Sequence, residues 1–322
     1  MIDAAMILGL PVGLAARREL QPLRYAVLER DGQLGALSDA ERRFGHAAYV
    51  NTLARSVRLR EVAEEIFAVA SDEGAELLPL KGVLFAFALY PDPGMRPMGD
   101  LDLAVREHDV ERLAARLGAR GFKRVGQGQR RFGLAATHHV ILDRPGTPRV
   151  ELHVRLVHEL GADGALAPFF ARALEVPWAR RSLRAPSWDD HFAYVALHAA
   201  THAFADSPLW LFDLAALAPR ASQSRIEAEA VARRAVSAVH FGLAIARRYF
   251  ADFPHAIRPP KGHRVRARLL RSLLGDDPLA TAPGFVASQL TRLALTDRPS
   301  DMARSIGAKF ALRFMERVAE TR

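Results

Sequence analysis

"GMRPMGDLDLAVRE", residues 94–107, decides the reading of this chain, because it sets Asp100 and Asp102 two positions apart inside an apolar run. Leu101 separates them, and Leu103, Ala104 and Val105 follow. Length and flanks predict a strand. Side chains at i and i+2 of a strand share a face, so the two carboxylates project together while Leu101 and Leu103 enter the packing. Neighbouring carboxylates repel, and one takes up a proton unless a cation sits between them. A hard divalent ion meets that need, since Mg²⁺ or Mn²⁺ prefers oxygen ligands and keeps room for waters and substrate phosphates.

A third carboxylate is available in "RVELHVRL", residues 149–156, where Glu151 lies between Val150 and Leu152. His153 and Arg155 are expected on its face by strand alternation. If this strand pairs beside 100–105, three carboxylates meet on one sheet face. Two metal ions there could clamp both oxygens of an in-line phosphoryl displacement. Upstream, "PLKGVLF", residues 79–85, reads as strand, glycine turn and helix start. Backbone N–H groups at a helix start bind phosphate, and glycine admits close approach. Lys81 and Arg96 are candidate phosphate cations, Arg96 through a bidentate guanidinium. His153 suits phosphate contact or support of a metal ligand.

Around this unit the texture is helical. Residues 1–75 read as an N-terminal helical segment, with Ser38 and Asp39 as caps and Glu41 close behind in the long run that Gly74 ends. Residues 76–160 read as the α/β core. "THHVILD", "RPGTP" and "RVELHVRL" form its hairpin. Residues 161–322 read as a helical C-terminal domain. Within it "SWDDHFAYVALHAATHAF" is capped by Ser187 or Asp189, "SQSRIEAEAVARRAVSAVHFGLAIARRYF" is one long helix, and "PHAIRPPKGHRVRARLL" is a basic linker. The fold class expected is α+β: a small mixed sheet with flanking helices plus that helical domain.

The chain has 322 residues, 50% hydrophobic and 25% charged, which fits a globular protein with a sizeable core. It has no cysteine, which excludes disulfides, thiolate zinc sites and cysteine nucleophiles. A net charge of +9 favours polyanionic partners, or else reflects an Arg-rich composition. No run approaches the ~18–20 apolar residues of a bilayer span, so no membrane partner and a cytoplasmic location are expected. Serine-hydrolase, kinase and dinucleotide signatures are missing from the sequence.

The order of these motifs from Leu77 to Leu156 resembles the nucleotidyltransferase superfamily that includes DNA polymerase β. In closest detail it resembles a bacterial branch of largely uncharacterised nucleotidyltransferases with L-K-G, then L-Y-P-D-P-G-x-R-x-M-x-D-I-D-L, then V-E-L-H-W-x-L. The matching stretches are "LKGVLFAFALYPDPGMRPMGDLDLAV" and "VELHVRL", and a weaker likeness continues into "LHAATHAFADSPLWLFDLAAL". The resemblance implies that Asp100, Asp102 and Glu151 are metal ligands and catalytic residues. It sets Lys81 and Gly82 in the place of the superfamily's phosphate turn, with Arg96, His153 and Arg155 as further nucleotide-binding candidates. It departs from the pattern in the lysine before the glycine and in Val154, where a tryptophan is usual. The implied activity is Mg²⁺- or Mn²⁺-dependent transfer of a nucleoside monophosphate from an NTP such as ATP to an acceptor hydroxyl on RNA or tRNA, a protein or a small molecule. The alternatives are a catalytically silent nucleotide- or RNA-binding protein of the same fold, or a metal-dependent phosphotransferase.

Other residues weigh less. His198 and His202 share a helix face at i, i+4, but no glutamate follows His198, so packing is favoured over zinc. With Asp213 they could instead line an acceptor pocket. Of His138 and His139, alternation turns one toward the face of Glu151 and the other away. "GQGQRR" at 126–131, with Arg130 and Arg131, lacks a P-loop ending and reads as a solvated loop. "KGHRVRARLLR" at 261–271 reads as a phosphate-backbone contact or a solvated helix face.

Overall fold

Ser38 begins the element that the rest of the fold leans on. Its hydroxyl accepts from the Glu41 amide, and the Glu41 carboxylate accepts from the Ser38 amide, closing a capping box. The computed structural model describes residues 2–125, 138–157, 160, 162–279, 283–298 and 300. Three short helices, α1 (Ala4–Leu8), α2 (Val12–Ala15) and α3 (Gln21–Arg30), precede the 34-residue α4 (Asp39–Asp72). Gly74, at φ +63°, turns the chain out of α4 where a side chain would be strained.

The core follows as β1 (Leu77–Pro79), α5 (Lys81–Ala88), β2 (Asp100–Val105), α6 (Val110–Gly118), β3 (Lys123–Arg124), β4 (His139–Asp143) and β5 (Arg149–His153). The strands form one five-stranded sheet in the order β1-β2-β5-β4-β3. Only β2 and β5 run parallel; the other neighbours are antiparallel. The hairpin expected around 144–148 is the β4–β5 connection. Thr147 N–H donates to the Arg144 carbonyl at 3.1 Å across it, and Gly146 takes φ +74°, the position a Pro-Gly turn reserves for glycine. Leu101, Leu103, Val140, Leu142, Val150 and Leu152 are buried on one face of the sheet, which α4 and α6 cover. Alternation then leaves Asp100, Asp102, Glu151 and His153 on the opposite face.

The C-terminal part contains α7 (Ala167–Ala171), β6 (Leu174–Trp178), β7 (Arg181–Ala185), α8 (Trp188–Thr201), α9 (Leu209–Leu217), α10 (Gln223–Ala232), α11 (Val236–Tyr249), α12 (His263–Leu274) and α13 (Phe285–Leu295). The architecture is therefore α+β, with a mixed sheet, a second two-stranded sheet and flanking helices. Three local expectations need correction. The β6–β7 hairpin stands where only helix was expected. Its alternation is short, with Val176 and Trp178 turned inward, and its turn uses Ala179 at φ +53° rather than a glycine. The long helix of 222–250 is broken between α10 and α11. Arg234 takes φ +53°, buried Arg233 donates to the carbonyls of Asp163 and Ala165, and Asp297 accepts from the first amides of α11. Tertiary partners, not a Gly or Pro, make that break. Finally, the basic linker turns helical at His263, after Gly262 at φ +70°. Among the described residues no helix is long and apolar enough to cross a membrane.

Candidate active site

The parallel pairing of β2 with β5 builds the site. Its register sets Asp102 beside Glu151 and Ala104 beside His153, with Asp100 one strand repeat before Asp102. Side chains opposite one another share a face, so three carboxylates and one imidazole converge on it. Asp102 is buried, and Asp100 and Glu151 are half-buried. His153 Nε2 lies 2.8 Å from Asp102 Oδ1 and 3.5 Å from Glu151 Oε2. Lys81 Nζ lies 3.3 Å from Asp102 Oδ2.

Lys81 reaches this spot through an unusual backbone. It is the first residue of α5 and takes φ +41°, a left-handed value that costs a non-glycine residue about 1–3 kcal/mol. Its ammonium also lies 3.1 Å from His198 Nε2 and over the Tyr194 ring, 5.4 Å from the centroid. An ammonium only donates, so His198 Nε2 accepts and the neutral ring carries its proton on Nδ1. Gly82 follows because a Cβ there would sit 3.1 Å from Met98 Cβ. The glycine lets the loop at 96–98 lie against α5.

The charges are settled unequally. Burial works against the Asp102 anion, but Lys81 and the His153 hydrogen bond overcome it and hold the carboxyl well below the usual range. Asp100 is pushed up to about 6, first by burial and then by the Asp102 charge, with Lys81 acting the other way. Burial also opposes charge on Glu151 and His153, yet their mutual contact lowers the carboxyl and, with Asp102, raises the imidazole. His198 is driven well below its ordinary value by burial and by the neighbouring Lys81.

These groups line a cavity of about 780 Å³ between the sheet and the C-terminal helices. Arg96 lines it too, but its guanidinium is forked onto Asp213, with Nη2–Oδ2 at 2.7 Å and Nε–Oδ1 at 3.1 Å. Tyr90 donates to the same carboxylate at 2.9 Å. The arginine expected to meet phosphate is thus engaged in a buried ion pair between the β2 approach loop and α9. Arg155 does not join the site. Val154 and Arg155 both donate their amides to the His138 carbonyl, a bulge that breaks alternation, and Arg155 is exposed at a separate groove. The same irregularity changes the histidine pair. His138 precedes β4 in a bend, so both His138 and His139 line the central cavity instead of facing opposite ways. His198 and His202 line it from α8 and its C-cap. Residues 126–131, with Arg130 and Arg131, lie outside the described residues.

Sequence reading missed several lining residues. Arg55 of α4 donates to the Gly99 carbonyl at 2.9 Å, next to Asp100, and Arg292 of α13 donates to the Thr201 carbonyl at 2.6 Å. Trp210 comes from α9. Arg55 lies 44 positions from Gly99 along the chain, and nothing local marks it. Asp102, Glu151 and His153 each offer a ligand atom, all within 4.8 Å of one another. His138, His139 and His153 form a second such group, and Asp100 belongs to neither. The oxygen donors, and an Asp100 raised by partial burial and by the neighbouring Asp102 charge, suit a cation at this face.

A family model described as uncharacterised nucleotidyltransferase matches residues 12–251, most of the chain. Two solved structures are similar. The solution structure of the antibiotic-resistance factor ANT(2'')-Ia is 14% identical, with TM-score 0.41, over 55% of this chain and 91% of that one. The crystal structure of an antigenic nucleotidyltransferase-like protein from Paracoccidioides brasiliensis is 17% identical, with TM-score 0.40, over 62% and 91%. No curated protein matches the sequence.

Proposed function

Since the chain belongs to this family of uncharacterised nucleotidyltransferases, we propose that it moves a nucleoside monophosphate from an NTP to an acceptor hydroxyl at the Asp100–Asp102–Glu151 face, with Mg²⁺ or Mn²⁺. The observation that carries this reading is the β2–β5 register, which sets Asp102 beside Glu151 with Lys81 against them. Asp100, Asp102 and Glu151 would hold the divalent ion, which when bound polarises the reacting phosphate and acidifies the acceptor hydroxyl. His153 fixes the orientation of Asp102 through its hydrogen bond and lies 3.5 Å from Glu151 Oε2. Glu151 accepts the acceptor's proton as its oxygen attacks the α-phosphorus; the bond to the β-phosphate breaks and pyrophosphate leaves. Lys81 faces the charge that develops on the phosphates. Residues 76–160 carry the chemistry in this reading, and residues 161–322 wall the acceptor side through His198, His202 and Trp210.

Labelled NTPs, Mg²⁺ or Mn²⁺, and separate pools of RNA, protein and small hydroxyl compounds test it. Label should enter one pool, which identifies the acceptor class. Asp102→Asn should lower the rate on the order of a thousandfold, the several kcal/mol a metal ligand supplies to the transition state. Transfer to no pool, together with no metal-dependent nucleotide binding, would leave a silent binding protein.

A further inference from the structure

We propose that His138, His139 and His153 form a binding site for a borderline divalent ion of the zinc class, beside the carboxylates but selective for a different metal. The three imidazoles come from the bend before β4, the first residue of β4 and the last of β5. His139 and His153 are opposite one another in the antiparallel register, which puts them on one face. His138 is held there by its carbonyl, which accepts from Val154 and Arg155. Ligand atoms of the three lie within 4.8 Å of one another, so a small movement closes them on one ion. All three line the central cavity, which gives an entry path.

His153 is prepared for this role. Its Nε2 lies 2.8 Å from Asp102 Oδ1, and a carboxylate oxygen accepts, so Nε2 carries the proton and donates it. That leaves Nδ1 with a lone pair in the neutral ring. His153 is 2% exposed, and Nδ1 has no hydrogen-bond partner among the described residues. A carboxylate–histidine pair with the far nitrogen available is the arrangement that orients metal-bound histidines. Glu151 Oε2, 3.9 Å from His139 Nδ1, is an oxygen placed for a fourth position. Imidazole donors select Zn²⁺, Co²⁺ or Ni²⁺ over Mg²⁺, whereas the aspartates favour the hard ion. The sheet face thus divides by chemistry, oxygen donors at the β2 side and nitrogen donors at the β4 side.

Co²⁺ is the probe. The full chain, in excess Mg²⁺ and above the titration range of histidine, is titrated with Co²⁺ while visible absorption and X-ray absorption are recorded. The expected result is one ion per chain, not displaced by Mg²⁺, with imidazole scattering in its first coordination sphere. The His138→Ala, His139→Ala double variant should bind at least tenfold to a hundredfold more weakly, about the loss that removing even a supporting partner produces. His138→Gln alone serves if the double variant does not fold, and His108→Ala, at an exposed histidine elsewhere, should bind like the parent. Equal binding by the variants, displacement by Mg²⁺, coordination by oxygen only, or no binding overturns the proposal. None of these readouts depends on nucleotide transfer, so this site and the transferase reading stand or fall separately.

Discussion

Asp213→Ala tests whether Arg96 is a strut or a substrate ligand. The Arg96 and Asp213 side chains are only 12% and 3% exposed, so solvent does little to screen either charge. Removing one partner of such a pair leaves an uncompensated buried charge, which costs about 3–5 kcal/mol. Tyr90 also loses the acceptor of its hydroxyl, a group whose orphaning costs about 1–3 kcal/mol. The two losses share one carboxylate and do not add, so about 4 kcal/mol is expected. Urea unfolding followed by circular dichroism reads it as a lower midpoint at unchanged slope. The double variant Arg96→Met, Asp213→Leu removes both charges and should recover most of the loss, because apolar replacements of buried pairs are often neutral. A loss under about 1 kcal/mol for Asp213→Ala would refute this reasoning. It would mean the pair is screened and the Arg96 guanidinium is available to phosphate, as the sequence alone suggested.

Two further measurements follow from the packing. His191 is fully buried, with Phe85 and Phe169 ring centroids 5.1 and 6.0 Å away, and burial lowers its pKa from 6.5 to about 4. The unfolded chain therefore binds more protons between those values, so the contribution of His191 is full above about 6.5 and is lost as pH falls toward 4, by about 3 kcal/mol. Unfolding of His191→Leu and parent across that window should show the variant gaining on the parent as pH falls; a constant difference would show that His191 does not titrate there. Gly82→Ala places a Cβ 3.1 Å from Met98 Cβ, and thermal melting should show a loss of about 1–3 kcal/mol as the 96–98 loop is pushed off α5. An unchanged melting curve would show that Met98 yields freely.

What could be read in the sequence follows a physical division. The capping box at Ser38, the Pro-Gly turn and the alternation of 100–105 are local, and each stands where composition put it. The meeting of Asp102 with Glu151 is long-range, yet both strands carry their large apolar residues on one face, which favours the one register that buries them together. The β6–β7 hairpin was hidden because its stability comes from elsewhere: Trp178 donates to the Val83 carbonyl at 3.0 Å and packs edge-on to Phe67 and Phe87. Its five-residue alternation does not announce those partners. Arg155 and His138 were misplaced for one reason, since strict alternation was carried past the point where two amides share one carbonyl. The Arg96–Asp213 pair was not legible because a guanidinium serves a phosphate and a buried carboxylate equally well, and the carboxylate lies 117 positions away.

The Lys-Gly and Asp-Leu-Asp signals, separate in the sequence, act as one electrostatic unit. Two carboxylates on one strand face are tolerable only if their charges are handled differently, and the fold does this with Lys81 and His153. The Lys81 charge and the His153 hydrogen bond both bear on Asp102, which stays ionised, while Asp100, in a partly buried place beside that charge, is pushed up to about 6. Lys81 can occupy that place only because its backbone accepts φ +41° and because Gly82 lets the neighbouring loop close over α5. His198 and Tyr194 give the ammonium contacts besides Asp102. A divalent ion approaching Asp102 would compete with Lys81 for the same carboxylate. The lysine would then have a nearby rest position and a charge to offer the phosphates that accompany the ion. Metal binding and phosphate binding are coupled on this argument through one side chain. Replacing Lys81 by Met should therefore weaken both, even though a methionine removes a competitor from the carboxylates.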